Sequence, residues 1–280
     1  GNRVEALMGI VNGTTNYILS QMAESGRDYD EVLAEAQALG LAEPDPASDV
    51  DGFDATYKLS VLSSLAFHAR VPYGTIHREG IGGISALDVA YARDLGYTLK
   101  LLAIAKRDSD SIDVRVHPAL VPDRHPLASV RGAFNAVFIH GSAAGDMMLY
   151  GRGAGSAPTA GAVVSDLVYA AKQSHHPIPS FEHREELPPH LRMEDNWRCA
   201  FYLRFEALNQ PGVLGHIATR LGEHQVSIEA VVQRHTEGNE RVPIVILTHQ
   251  AREKDLRAAL KALDPAVAQA RGVLRIEGQQ

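Results

Sequence analysis

The sequence predicts an α+β protein with two domains, of which the second is a small βαββαβ module. Its 280 residues are enough for two separate hydrophobic cores. Hydrophobic residues make up 45% of the chain and charged residues 22%, a balance typical of folded globular proteins. A stretch with several prolines and little apolar periodicity interrupts the pattern near residues 173–198. We therefore expect a first domain at residues 1–175, a linker at 176–198 and a second domain at 199–280.

Helices dominate the start of the predicted first domain. Residues 1–25 have the pattern of a strand or helix, a Gly-Thr-Thr-Asn turn and an amphipathic helix. Residues 28–40 form a second helix, with an aspartate able to cap its start, one apolar stripe and Gly40 at its end. A third helix runs from about residue 52 to residue 68 and stops before Pro72, because proline cannot continue a helix.

Strands follow these helices. Residues 97–107 and 112–121 have strand patterns, and the second alternates in polarity. The segments AVFIHG and MMLYG, separated by SAAGD, predict a hairpin. A glycine-rich stretch then precedes a helix at about residues 159–172, with Pro158 suited to its first turn.

The second domain alternates strand and helix patterns in the order βαββαβ, which predicts a ferredoxin-like fold. Phe201, Leu203 and Phe205 alternate with polar residues in the first strand. The remaining predicted elements are a helix at 213–221, strands at 226–233 and 242–248, a helix at 254–263 and a strand at 273–276.

Composition excludes several classes of partner. The formal net charge of −7 argues against nucleic acid or an anionic membrane as the main partner. No apolar run approaches the roughly 20 residues that a membrane helix needs. Cys199 is the single cysteine, so no internal disulfide can form and a reducing, cytoplasmic setting is expected. The chain opens without methionine, so we expect its numbering to begin inside a longer polypeptide.

An acidic stretch, EPDPASDVDGFDATYKLSVL at residues 43–62, places five carboxylates ahead of Lys58. It can be a solvated turn that caps a helix, since acidic residues are favoured at helix N-termini. A calcium loop is excluded, because Ala47 and Lys58 would stand where an EF-hand needs carboxylates. It can also be an active site, because Asp54 and Lys58 lie at i and i+4 on one helix face, and a held ammonium can donate a proton. Spacing alone does not decide between the turn and the active site.

The glycine-rich stretch at residues 151–155 follows a predicted strand and precedes a helix, as a dinucleotide-binding loop would. Ser156 occupies the place of the third glycine, and no second parallel strand with an acidic end follows. We therefore expect no complete dinucleotide fold here, and the stretch is either a tight structural turn or a loop approaching a cofactor. His175-His176 lacks partners at metal-ligand spacing, so no metal site is expected.

Three motifs together resemble the homoserine dehydrogenase family: GIVNGTTNYIL, the acidic stretch and YGRGAGSAPTAGAVVSDL, over about residues 1–172. The resemblance implies reduction of L-aspartate 4-semialdehyde to L-homoserine with NADPH or NADH, in threonine, methionine and isoleucine biosynthesis. It makes Lys58 the proton donor. It makes Glu43, Asp54, Asp49 and Thr14 substrate-binding residues, and Gly40, Gly155, Asn12 and Gly13 cofactor-binding residues.

The resemblance also implies an architecture. It predicts a mixed-sheet catalytic and dimerisation domain, with helices on one sheet face and a partner subunit on the other, in a homodimer or homotetramer. The family's nucleotide-binding domain would precede Gly1. We therefore expect residues 1–280 to be part of a longer enzyme and to be inactive alone.

The turn Leu208–Leu214, LNQPGVL, resembles the signature turn of ACT domains, which bind amino acids. It implies threonine feedback, with Asn209, Gly212, Val213 and Leu214 near the effector. A purely structural, dimerising role stays open. An RNA-binding module of the same topology is excluded, because its central strands would need stacking aromatics. The alternative to an enzyme is an amino-acid-sensing protein whose dehydrogenase domain has decayed.

Overall fold

The computed structural model describes residues 2–172, 191–234 and 240–279. A strand and a group of helices begin the chain, and a strand pair and a hairpin follow them. In chain order these are β1 Val4–Ile10, α1 Gly13–Ser25, α2 Tyr29–Ala38, α3 Ala47–Val50, α4 Phe53–Phe67, β2 His77–Arg78, α5 Ala86–Asp94, β3 Tyr97–Arg107, β4 Ser111–Pro122, β5 Phe134–Gly141, β6 Gly145–Arg152 and α6 Ser156–Lys172.

The remaining elements build the C-terminal module. They are β7 Arg192–Met193, β8 Arg198–Leu208, α7 Val213–Glu223, β9 Ile228–Gln233, β10 Arg241–Thr248, β11 Ala251–Arg252, α8 Glu253–Lys261 and β12 Ala268–Ile276. Strands β12, β8, β10 and β9 are neighbours in that order and are antiparallel. This order is that of a ferredoxin-like sheet, so the predicted βαββαβ fold is confirmed.

One mixed sheet crosses the described part of the molecule. Its main path is β6-β5-β1-β3-β4-β12-β8-β10-β9. The join between the two halves is parallel pairing of β12 with β4, where Arg275 lies opposite Ala119 and Ile276 opposite Leu120. The α+β class is confirmed, and the two predicted domains share a sheet in addition to being connected by the chain.

The core lies mainly between the sheet and the helices. Buried residues of α1, α2, α4 and α5 join Leu99, Leu101 and Ala103 of β3 in one cluster. Tyr202 and Val245 of the C-terminal sheet belong to the same cluster, while α7 and α8 cover that sheet's other side. Leu102 and Ile104, on the opposite side of β3, pack against the loop that contains Leu127 and Val130.

The structure differs from the sequence-based expectation in four places. Helix α5 was not predicted, and β12 begins at Ala268 instead of residue 273. The apolar stripe predicted for residues 28–40 includes Leu39, but Leu39 follows the end of α2 and is 60% exposed. Residues 191–198, expected in the linker, include β7, which pairs with β4, and the buried Trp197. Residues 173–190, with the rest of that linker and His175-His176, lie outside the described residues.

Helix α6 is exposed along its whole length. Its apolar side chains Val163, Val164, Leu167, Val168 and Tyr169 are between 47% and 64% exposed. Among the residues described, none of the helices has both the length and the hydrophobicity needed to cross a lipid bilayer.

Candidate active site

Asn12 connects the start of α1 to the acidic stretch. Its side-chain oxygen accepts a hydrogen bond from the backbone N–H of Thr15 at 2.9 Å, so it caps the helix. Its amide nitrogen donates to Asp49 Oδ1 at 2.7 Å and to Asp54 Oδ2 at 2.9 Å. Asn12 is 5% exposed, which leaves its amide little freedom to turn away from the two carboxylates.

Lys58 completes the same network from α4. Its Nζ donates to Asp54 Oδ2 at 2.7 Å and to the carbonyl oxygen of Val11 at 3.0 Å. The i,i+4 spacing places both side chains on one face of the helix, as predicted. The Lys58 side chain is 46% exposed, so its ammonium is held in place and can still be reached. An ion pair this exposed adds little stability to the fold, so its role is better explained by the reactivity of the Lys58 ammonium.

The segment after β2 packs against the backbone of the acidic stretch. A Cβ added to Gly80 would lie 2.5 Å from the carbonyl oxygen of Val50, so only glycine fits there. The N–H of Ile81 donates to the same carbonyl at 2.8 Å. Gly52, with φ of +80°, stands at the N-cap of α4, where the sequence had suggested an acidic cap. Backbone packing therefore fixes where Asp49 and Asp54 lie.

Thr14, Gly40 and Glu43 are the other residues predicted for this site, and the described residues give them different contacts. The Thr14 hydroxyl donates to the carbonyl oxygen of Leu41 at 2.8 Å, which ties α1 to the turn after Gly40. Gly40 has φ of +69°, and the space where its Cβ would stand is open. Glu43 is exposed, and its backbone carbonyl accepts from Gln37 Nε2 at 3.1 Å. Its carboxylate makes no hydrogen bond to another described residue.

The glycine-rich stretch is an exposed turn between β6 and α6. Gly155 has φ of +123°, a conformation that side chains rarely adopt, and the N–H of Thr159 donates to its carbonyl at 3.0 Å. A Cβ on Gly151 would meet nothing within 4 Å. A Cβ on Gly153 would lie 1.9 Å from Asn135 Nδ2. The stretch is therefore a tight structural turn on one side and open on the other.

In the C-terminal module, the predicted effector turn joins β8 to α7. Gly212, with φ of +91°, is the N-cap of α7, and Asn209 N–H donates to the carbonyl of Glu240 at 2.9 Å. Leu214 is 38% exposed. Val213 is buried in the core of the module, so only its backbone is available to a ligand. No group of three or more His, Cys, Asp or Glu in the described ranges could hold a metal ion.

Several contacts near the site were not predicted. The link from Asn12 to two carboxylates, the close approach of Gly80 and a buried pair formed by Lys100 and Asn16 all depend on contacts distant in sequence. Only Lys100 had a visible signal, since it is a lysine inside an otherwise apolar predicted strand, YTLKLLAIAKR.

Together, the fold and the site define an α+β protein in which an accessible lysine is held between carboxylates and a ferredoxin-like module extends the sheet. A family model described as homoserine dehydrogenase matches residues 1–168, and one described as ACT domain matches residues 201–265. The first match covers more than half of the chain. The chain belongs to the homoserine dehydrogenase family, and it carries an ACT domain.

Individual relatives agree with this assignment. The homoserine dehydrogenase of Synechocystis sp. is 45% identical over 99% of this chain and 66% of its own length. The structure of a homoserine dehydrogenase from Thiobacillus denitrificans has a TM-score of 0.89 and 42% identity, over 99% of this chain and 64% of that one. A hyperthermophilic archaeal homoserine dehydrogenase in complex with NADPH has a TM-score of 0.53 and 29% identity, over 63% of this chain and 50% of that one. The chain thus spans just under two thirds of the first two relatives.

Proposed function

We propose that this chain supplies the substrate-binding and proton-transfer part of an NAD(P)-dependent homoserine dehydrogenase, which interconverts L-aspartate 4-semialdehyde and L-homoserine. The observation that carries the proposal is the network in which Asp54 holds the ammonium of Lys58, with Asn12 and Asp49 attached. The family assignment supports it and does not favour the alternative of a decayed, purely sensing protein.

Lys58 is the proposed proton donor to the aldehyde oxygen. Hydride addition to a carbonyl carbon places negative charge on its oxygen, and a nearby ammonium both stabilises this charge and supplies the proton. Asp54 and the carbonyl of Val11 accept two of its three N–H groups, and this fixes the direction of the third. In homoserine oxidation Lys58 takes the hydroxyl proton instead.

Acidic side chains beside Lys58 are the proposed anchors of the substrate ammonium. Asp54 Oδ2 accepts from both Lys58 and Asn12, while Asp54 Oδ1 has no hydrogen-bond partner among the described residues. The exposed carboxylate of Glu43 is likewise without one, and Asp49 shares the network through Asn12. These oxygens can accept hydrogen bonds from the ammonium of a four-carbon amino acid, which lies close to the aldehyde of the same molecule.

The described residues fit a nicotinamide dinucleotide at one edge of the site. Open space above Gly40 and Gly151 allows close approach of a ligand, and Asn135 Oδ1 is a buried acceptor with no donor among the described residues. Gly40, Gly155, Asn12 and Gly13 are the proposed contacts, and NADP or NAD supplies or accepts the hydride when it is bound. The archaeal relative in complex with NADPH supports this class of cofactor.

The test is a Lys58→Ala variant of the native polypeptide. Removing a general acid typically lowers kcat by about 10²-fold or more, so homoserine oxidation followed by NADPH absorbance should fall by that amount. Lys261→Ala, on the surface of α8, is the matched control and should keep wild-type kcat. Near-normal turnover of Lys58→Ala would reject the role given to Lys58.

We also propose that the ACT domain binds threonine through the turn Asn209, Gly212, Val213 and Leu214, in a cytoplasmic homodimer or homotetramer. Gly212 and Leu214 present backbone N–H groups at the start of α7, where an amino-acid carboxylate is favoured, and Asn209 precedes them in the same turn. A threonine titration of rate and thermal stability tests this. Absence of any response would favour a structural role for the module.

A further inference from the structure

Lys100 is a buried lysine for which the described residues provide no carboxylate partner. It lies in β3 with 1% of its surface exposed. Its Nζ donates to Asn16 Oδ1 at 2.9 Å and, at very short range, to the carbonyl oxygen of Val130. Burying an ammonium without an opposite charge is unfavourable. Stability alone therefore does not explain a lysine at this position.

Asn16 and Lys100 together hold the loop at residues 130–135. Asn16 Nδ2 lies 3.3 Å from the carbonyl oxygen of Val130, 2.8 Å from that of Gly132 and 3.0 Å from that of Phe134. The Lys100 ammonium faces Asn16 Oδ1 and so sets which way the amide points. Ser20 adds a fifth contact, because its hydroxyl accepts from the N–H of Gly132 at 3.2 Å. The loop is therefore fixed from α1 and β3 at once.

The same loop touches both glycine motifs of the candidate active site. A Cβ on Gly13 would lie 2.9 Å from the carbonyl oxygen of Ala133. A Cβ on Gly153 would overlap the side-chain amide of Asn135, at 1.9 Å from Nδ2. Gly13 directly follows Asn12, which holds Asp49 and Asp54. A displacement of the loop would thus move the start of α1 and the glycine-rich turn together.

We propose that Lys100, acting through Asn16 and residues 130–135, is a positioning residue that aligns the Asn12–Gly13 motif with the glycine-rich turn at Gly153. This inference rests on the proposed function for its kinetic consequence. The structural part of the proposal, that the Lys100 ammonium holds residues 130–135 in place, does not depend on any activity.

The charge of Lys100 is sensitive to pH near neutrality. Burial, reinforced by the positive charge of Arg131 and opposed by Glu24, lowers the pKa of Lys100 to about 8. Arg131 and Glu24 are exposed and form a 3.7 Å ion pair with each other. Loss of the Lys100 proton weakens its hydrogen bond to Asn16 on α1 and its hydrogen bond to the loop at Val130.

The first experiment compares Lys100→Met with Leu101→Ala in the native polypeptide. Met keeps the length of the apolar stem and removes the donors, so residues 130–135 should lose hydrogen-exchange protection. Because small misplacements at a distance can lower rates strongly, kcat for homoserine oxidation should fall about 10-fold to 10²-fold. Leu101→Ala creates a cavity in the cluster against the helices. It should lower Tm while leaving loop protection and kcat within about twofold of wild type, since Leu101 faces the helices and not the loop.

The second experiment needs no variant. In the wild-type protein, protection of residues 130–135, corrected for intrinsic exchange, should fall as pH rises through about 8, the pKa of Lys100. Protection of β4 should not change. The kcat profile should show the same ionisation, and Lys100→Met should lack it.

The outcomes separate this inference from the proposed function. Wild-type kcat and wild-type loop protection in Lys100→Met would overturn the positioning role and leave the dehydrogenase intact. Reduced kcat with unchanged loop protection would also overturn it, because the effect would not pass through the loop. A native polypeptide without homoserine oxidation would reject the proposed function, while loop protection would still test the structural role of Lys100.

Discussion

Asn12 performs two tasks with one side chain. Its oxygen caps α1 and its nitrogen holds Asp49 and Asp54 near Lys58. The two tasks can be separated, because serine is as good a helix cap as asparagine but is too short to donate to both carboxylates. Asparagine is therefore required here for the position of the acidic residues more than for the stability of the helix.

Replacement of Asn12 by serine is expected to lower kcat/KM for homoserine about tenfold or more, since misplaced groups near the reaction lose rate steeply. Tm should change little, because the cap is kept. Asn12→Asp, which also caps, adds a third carboxylate beside Asp49 and Asp54 and should lower both Tm and kcat/KM further. Steady-state kinetics and thermal unfolding of the two variants are the measurements. Equal kinetics in Asn12→Ser and wild type would contradict a role for the amide.

For individual side chains, the sequence predicted a contact only where the two residues are close together in the chain. The i,i+4 spacing of Asp54 and Lys58 predicted a shared helix face, and their hydrogen bond confirms it. The partners of Asn12 lie 37 and 42 residues away, and no local pattern encodes such a contact. The roles of Lys58, Glu43 and the glycines stay predictions.

At the scale of elements, the segment after β2 determines the shape of the acidic stretch. A Cβ at Gly80 would press on two backbone positions, 2.5 Å from the Val50 oxygen and 2.7 Å from Asp51 Cα. Neither neighbour is the end of a flexible side chain, so the stretch itself would have to move. The carboxylates of Asp49 and Asp54 would move with it.

Gly80→Ala is therefore expected to lower the free energy of unfolding by about 1–3 kcal/mol, the usual effect of overpacking. The kcat for homoserine oxidation should fall as well. Gly82→Ala is the matched control, since its Cβ would meet nothing within 4 Å and its φ is not positive. Denaturant unfolding of both variants gives the comparison. If the two proteins unfold alike, the close approach of Gly80 does not constrain the stretch.

Strong local patterns predicted most elements. Helices α2 and α4, the β5–β6 hairpin and the order of the C-terminal module were all found, because their apolar periodicity or turn chemistry is local. Helix α5 was missed although Ser85 and Asp88 form a capping box at its start. It is only nine residues long, and its place is determined by packing: Arg204 of β8 donates to Asp88 at 2.6 Å.

At the scale of the whole molecule, charges cross the join between the two halves. Arg275 of β12 pairs with Glu253 of α8 at 2.5 Å and with Glu79, which follows β2. On the neighbouring strand, Arg115 of β4 pairs with Glu277 at 2.5 Å. Removing one member of such a buried pair leaves the other uncompensated, so these pairs make the join sensitive to pH.

The pH sensitivity of the join can be tested at Glu79. Burial opposes its ionisation, yet hydrogen bonds from His77 and Arg275 lower the pKa of Glu79 far below its usual value. A carboxylate whose pKa is lowered on folding stabilises the protein above the unfolded-state pKa of about 4.5, and this stabilisation is lost as pH falls below it. Glu79→Gln should therefore lower Tm at pH 7 and show a smaller further decrease toward pH 3.

Glu223→Gln is the control for this pH dependence. Glu223 pairs with Arg220 within α7, and both side chains are at least 40% exposed. Exposed pairs contribute little, so its Tm should follow that of the wild type at every pH. If Glu79→Gln and Glu223→Gln gave the same Tm profile, the charges at the join would not govern acid stability.

The two-residue pairing of β12 with β4 had no counterpart in the sequence pattern, because a short parallel contact between distant strands leaves no periodicity of its own. It has a consequence for how the protein is made. β12 is the last described strand to leave the ribosome, yet it occupies an interior position between β4 and β8. Until then, the edge of β4 at Ala119 and Leu120 has no strand beside it, so the nascent chain exposes an unpaired strand edge from the synthesis of β4 until that of β12.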